Sequence, residues 1–420
     1  MPANAASAFS IVFLLAVAIT TALRVWLSLR QASHVQHHRA AVPAAFRDSI
    51  TLENHQKAAD YTRAKLRLGL FDEVWGLLLL LAFTLGGGLQ WLHEAWADVF
   101  SPSGYAHGIA FIASVGVTAF VVELPSSLFR TFVIEEHFGF NKLTFRLFIA
   151  DLFKQALLSA AFGLPVLFIV LWLMAQMGPR WWLYVWMFWL GFNLLVMLIY
   201  PTLIAPLFNK FSPLPDEALK ARIEALLARC GFRASGLFVL DGSRRSAHGN
   251  AYFTGFGAAK RIVFFDTLIE KLSPPEIEAV LAHELGHYKL RHVWKRLAVL
   301  AVVSLGFMWL LGFLIHQPWF FLGLGMETQG TAAALVLYLL VLPVFLFPLT
   351  PIASFLSRGH EFEADAYAAR QAQSADLVSA LVKLYRDNAA TLTPDPLYSA
   401  FYDSHPPASV RVGRLQAARN

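Results

Sequence analysis

The chain has 420 residues, 57% of them hydrophobic and 15% charged, with 34 Lys and Arg against 28 Asp and Glu and a formal net charge of +6. Soluble domains run at about 45–50% apolar and about 25% charged, so this composition excludes a soluble single domain, and its apolar excess excludes intrinsic disorder. Cys230 is the single cysteine, which excludes an internal disulfide and a cysteine-cluster metal site.

Seven apolar runs reach the roughly 20 residues that cross a bilayer as a helix. They cover residues 6–29, 71–92, 107–129, 147–177, 181–206, 297–316 and 331–356. The first lacks a basic leading segment and carries Arg24 late in the span, so it reads as a retained helix and not a cleaved signal. The fourth opens with Asp151 and Lys154, which places its first turns in the interface. Trp91, Trp181, Trp182 and Trp319 sit at span ends, where indole rings favour the headgroup level. Glu123 in the third span is a costly acid that either lines an internal cavity or is solvated near the span end.

The basic residues are strongly partitioned. Residues 30–70 hold seven Lys and Arg, 130–154 hold four, 207–296 hold fourteen and the tail from Ser357 holds seven. The segments 1–5, 91–106 and 317–330 hold none. This predicts an N-terminus outside and a cytosolic central loop and tail. It also accounts for the positive charge without a nucleic-acid partner. The division is 1–206 for spans one to five, 207–296 for a cytosolic domain, 297–356 for spans six and seven, and 357–420 for a cytosolic tail.

Within the central loop, 215–230 has helical apolar spacing, with Gly231 as its C-cap. Residues 237–240 and 262–265 read as strands, and 250–256 as a third. Ser273, Pro274 and Glu276 then form a helix start with a capping box, and the helix is predicted to run to about His292. It carries His283-Glu284-Leu285-Gly286-His287. Residues i and i+4 share a face, so both imidazoles reach one metal ion, and Glu284 lies where it can polarise a metal-bound water. This is the His-Glu-x-x-His zincin signature, of which about 0.02 accidental matches are expected at this composition. A catalytic zinc takes three protein ligands and an open position. His292, five residues after His287, falls off the ligand face. The run Ser357-Arg358-Gly359-His360-Glu361-Phe362-Glu363-Ala364-Asp365 offers His360, Glu361 or Glu363, among which spacing does not choose. His34, His37 and His38 read as part of a solvated basic loop.

Further stretches carry a family resemblance: the residues from Glu135 to Lys142, Pro206 to Phe211, Ser246 to Phe253, and His405-Pro406-Pro407. With the zincin helix and the acidic run, the chain resembles the type I CaaX prenyl endopeptidases, integral-membrane zinc metalloproteases. The resemblance implies an all-α integral membrane protein of seven transmembrane helices enclosing a chamber. A cytosolic zincin-like domain with a small β-sheet would complete it. One Zn²⁺ would be held by His283, His287 and Glu361, with Glu284 as general base and Asp365 holding a ligand histidine. Asn250, Ala251 and Tyr252 would form an edge strand pairing with the substrate backbone, and His405 and Arg411 would stabilise the oxyanion, with Arg414 a nearby competitor for the latter place. His137 and its acidic neighbours receive no chemical role.

The implied substrate is a prenylated CaaX protein, cut after the lipidated cysteine to release three residues, and met in the lipid bilayer into which the prenyl chain partitions. The location would be the endoplasmic reticulum or a bacterial inner membrane, and no oligomer is required. A general membrane-protein quality-control protease would use the same chemistry without the lipid. A seven-helix transporter or receptor would place polar residues or helix breaks near the midplane, and the spans have few.

Overall fold

The computed structural model describes residues 2–254 and 260–417. The membrane part begins with α1 (Pro2–His37), α2 (Leu52–Phe83), α3 (Gly88–Ala97), α4 (Tyr105–Phe129), α5 (Phe145–Gln176) and α6 (Trp181–Ile199). A π-helical turn extends α4 to Glu135, and another joins α6 to α7 (Ala205–Phe208). Among the described residues six helices are long and apolar enough to cross a membrane, and the pair α2 and α3, bent by 53°, makes a seventh span. Glycines 86–88 cause that bend. Gly87 has φ +75°, and a Cβ at Gly86 or Gly88 would fall 2.8 or 2.7 Å from the Ala82 carbonyl oxygen. The first helix reaches His37, so His34 and His37 lie on its last turn and not in a loop.

After α7 the chain forms β1 (Phe211–Pro213), α8 (Glu217–Arg229), β2 (Gly236–Leu240), β3 (Ala251–Thr254), β4 (Arg261–Phe265), α9 (Asp266–Ile269) and α10 (Pro274–Lys289). The sheet order is β1-β2-β4-β3, with β2 and β4 parallel and the other pairs antiparallel. The last strand is therefore an edge. The three predicted strands are present; positions 255 and 256 of the third lie outside the described residues, and β1 was not foreseen. Gly231, at φ +60°, ends α8 as its position predicts.

The remaining helices are α11 (His292–Leu314), α12 (Pro318–Leu322), α13 (Thr331–Leu346), α14 (Thr350–Gln371), α15 (Ser374–Asp387), α16 (Pro396–Tyr402) and α17 (Ala408–Ala417). The zincin helix stops at Lys289, short of His292. Arg291 adopts the left-handed conformation, φ 59°, and turns the chain directly into α11. Likewise α13 passes through one 3-10 turn at Phe347–Leu349 into α14.

The membrane helices pack closely at one end, around Phe13, Phe111, Met174, Trp181, Leu311, Phe320 and Leu337. Trp181 is 4% exposed there, so it is a core residue and not a headgroup anchor. Away from that end the packing opens. The most apolar windows of α4, α5 and α6 have only 17%, 11% and 6% of their residues buried. A helix in a solid bundle hides a stripe of roughly 100° or more. Most of their surface is therefore left to lipid and to the internal space between them. One cavity there, about 830 Å³, is bordered by Glu123, Ser127, Asp151, Gln155, Tyr200 and Arg245. At the open end a second apolar core joins α8, β4 and α10 to Tyr367, Ala368, Leu377, Ala380, Leu381 and Leu415. The residues before α11 and those after α13 thus form one body.

Candidate metal centre and active site

The geometry of the site starts with how α10 is held. Ser273 donates its backbone N–H to Glu276 Oε2 at 2.7 Å, completing the capping box. Ser379 Oγ and Lys383 Nζ also donate to Glu276, at 2.6 and 2.7 Å, which ties the helix start to α15. Further along, Gly286 packs against α14. A Cβ there would lie 3.0 Å from Ala364 Cα and 3.2 Å from Tyr367 Cβ. The missing side chain lets the two helices approach closely enough for Glu361 to meet both histidines.

His283, His287 and Glu361 converge, with their ligand atoms within 4.8 Å of one another. The two Nε2 atoms are 3.2 Å apart, and Glu361 Oε2 and Oε1 lie 3.4 and 3.3 Å from His283 and His287 respectively. Donor atoms 2.0–2.2 Å from a tetrahedral zinc would stand roughly 3.3–3.6 Å apart. Glu361 Oε2 is buried without a hydrogen bond, as a metal ligand would be. The donor set fits a zinc ion.

Each histidine is also held from behind. His283 Nδ1 is 2.9 Å from Asp365 Oδ1, and Arg411 donates to the same carboxylate at 2.6 and 2.9 Å. His287 Nδ1 is 2.9 Å from His292 Nδ1, whose Nε2 is 2.9 Å from Glu363 Oε2. His360 stacks on His292 at 4.2 Å. Thus α14 brings Glu361 and Asp365 to the two histidines of α10, and Glu363 to His292 of α11. Sequence spacing did not reveal the His292–Glu363 pair. It becomes a neighbour of His287 because the chain turns at Arg291, a residue with no local signal for that conformation.

The other expected residues surround this centre. Glu284 borders two cavities. The first, about 340 Å³, includes Asn250, Ala251, Val280, Leu384, His405 and Arg411 among its lining. The second, about 310 Å³, includes Tyr252, Phe253, Tyr288 and Trp294. Burial, the largest cause, and the Glu361 carboxylate push the Glu284 carboxyl above the ordinary range, against the opposing pull of His283, His287 and Arg411. Asn250 precedes the free edge of β3, and its Oδ1 accepts from the Ala251 N–H. His405 has a 62% exposed side chain and Nε2 3.6 Å from Glu361 Oε1. Arg411 is buried and committed to Asp365, with Nη1 3.9 Å from Glu361. Arg414 instead lies over the Phe362 ring.

The chain is similar to known proteins along most of its length. Residues 31–210 match the family model described as CAAX prenyl protease N-terminal, five membrane helices, and 213–419 match peptidase family M48. The CAAX prenyl protease 1 homolog of Arabidopsis thaliana is 37% identical, with 93% of each chain covered. The CAAX prenyl protease 1 of Saccharomyces cerevisiae is 34% identical, over 89% of this chain and 88% of its own. The crystal structure of S. mikatae Ste24p superposes with a TM-score of 0.90 at 32% identity, covering 97% of this chain and 99% of that one. With both halves matched and relatives aligned end to end, the chain belongs to peptidase family M48, among the CAAX prenyl proteases, and is a multi-pass membrane metalloendopeptidase.

Proposed function

We propose that this protein is a zinc endopeptidase that removes the C-terminal tripeptide from prenylated CaaX proteins at the cytosolic face of its membrane, the endoplasmic reticulum or a bacterial inner membrane. The observation that carries this reading is the position of the His283, His287 and Glu361 donor set. It lies beside a free strand edge, in a body that closes one end of a membrane-embedded chamber.

Zinc held by these three residues would supply Lewis acidity and lower the pKa of water. The residues of the chain do the rest. Glu284 takes the proton of the attacking water and returns it to the leaving amine. His405, exposed to the cleft, donates to the oxyanion as the carbonyl becomes tetrahedral. Arg411 acts with it chiefly by holding Asp365, which orients His283. The free edge of Ala251 and Tyr252, led by Asn250, pairs with the substrate backbone and makes binding tolerant of side-chain identity.

The test uses purified protein in detergent with two peptides of one sequence ending in a CaaX box, one farnesylated and one unmodified. Selective cleavage after the lipidated cysteine, lost in Glu284→Ala and after chelation, is the expected result. Equal cleavage of both peptides would replace the prenyl reading with that of a general membrane-protein quality-control protease. No cleavage by a zinc-loaded protein would overturn the substrate assignment.

A further inference from the structure

We infer that the cavity of about 310 Å³ beside Tyr252 receives the isoprenoid of the lipidated cysteine, an inference that rests on the prenyl-protein reading above. Strand direction gives the first argument. β3 is the free edge, paired antiparallel to β4 on its other side. Antiparallel pairing is the more stable arrangement per residue. A substrate that pairs this way runs from Thr254 toward Asn250. Residues before the cut therefore lie along Tyr252 to Thr254, and those after it lie beside Asn250 and Ala251.

Glu284 gives the second argument. It lines both cavities, so the scissile bond lies between them. The cavity on the Asn250 side faces the released tripeptide. The cavity on the Thr254 side faces the residue that precedes the cut, which is the cysteine bearing the thioether.

The chemistry of that second cavity suits a branched hydrocarbon. Phe232 packs edge-on against Phe253 and Tyr288, at 5.4 and 4.8 Å between ring centroids. Lys260 lies with Nζ 4.2 Å over the Tyr288 ring, so its charge meets an aromatic face, and Arg291 is the other cation of the lining. Glu284 is the one carboxylate in the lining, at the catalytic end. Membrane elements form the outer wall: Met197 from α6, and Val293 and Trp294 from the first turn of α11. Val293 and Trp294 are both exposed. An isoprenoid resting in the bilayer boundary can therefore enter along apolar surface, and each methylene it buries adds driving force.

The test fills the cavity. Met197→Trp and Val293→Trp are compared with wild type by the ratio of kcat/KM for the farnesylated over the unmodified peptide. Zinc content and thermal midpoint establish that each variant is folded. The ratio is expected to fall at least tenfold in either variant. Leu384→Trp, which fills the other cavity, is expected to depress both peptides alike and keep the ratio. A ratio that survives both fillings overturns the assignment alone. A ratio lost in Leu384→Trp and kept in the others also overturns it, because the substrate would then run in the reverse direction with its carboxylate toward Lys260 and Arg291. A wild-type ratio near one overturns the prenyl reading and this assignment together.

Discussion

The Nδ1 atoms of His287 and His292 lie 2.9 Å apart, although a straight helix would have placed the two rings on different faces. One of the two nitrogens must carry the hydrogen. His292 Nε2 faces the Glu363 carboxylate at 2.9 Å, so it is the protonated nitrogen of a neutral ring and leaves Nδ1 as acceptor. His287 then donates from Nδ1 and keeps the Nε2 lone pair for a metal. His292→Ala is expected to weaken zinc binding about 10–100-fold, as losses behind a ligand histidine do. Competition with a chromogenic chelator measures this. A drop in thermal midpoint with zinc affinity unchanged would reduce His292 to a packing role.

Chelation tests the cross-link between α10 and α14. A ligand bound only by the native state at 1,000 times its Kd adds about 4 kcal/mol. Removing zinc is therefore expected to lower the thermal midpoint by at least about 5 °C. Zinc should restore it and magnesium should not, since the donor set holds two imidazoles. A midpoint insensitive to chelation, measured with zinc loss verified, would contradict this.

Gly286→Ala reverses an ordinary sign. In an exposed helix the change stabilises by roughly 1 kcal/mol. Here the new Cβ would meet Ala364 Cα at 3.0 Å and the Ala364 carbonyl oxygen at 3.2 Å, which are backbone atoms that cannot rotate away. The expected result is a loss of about 1–3 kcal/mol together with weaker zinc binding, as α14 is pushed off α10. Chemical denaturation and metal competition check the two parts separately.

Glu276 gives a pH signature far from the metal. Burial alone would raise its carboxyl, but hydrogen bonds from Lys383, Ser379 and Ser273 prevail and bring it down to about 2, from 4.5. The native state then binds fewer protons than the unfolded chain between about pH 4.5 and 2, so this contribution is complete above that window and is lost as pH falls through it. Glu276→Gln is expected to flatten the acid slope of the thermal midpoint and to lower stability at neutral pH by about 1–3 kcal/mol. An acid slope identical to wild type would exclude the effect.

What the sequence shows and what it hides divide along physical lines. The span count, the capped zincin helix and the strands at 237–240 and 262–265 follow from local composition and periodicity, and they are where expected. The third ligand did not follow from spacing, because Glu361 meets the histidines through helix contact across more than 70 residues of chain. The 53° break in the second span was hidden in the unbroken apolar run 71–92, because the close approach of glycines 86 and 88 to Ala82 arises only in the folded chain. The burial of Trp181 was hidden, because an indole at a span end looks the same whether it meets headgroups or a neighbouring helix. The turn at Arg291 was hidden too, since arginine carries no preference for the left-handed region.

That turn has a wider effect. Arg291 joins α10 to the membrane helix α11 with no intervening loop, and the single turn at Phe347–Leu349 joins α13 to α14. Both halves of the metal centre are thus stems of bilayer-crossing rods. The centre cannot rise or sink relative to the lipid surface without moving a whole rod. On the function proposed above, the expected consequence is a dependence on length: a peptide bond a fixed short span from its lipid anchor is cut, and one tethered farther out is not.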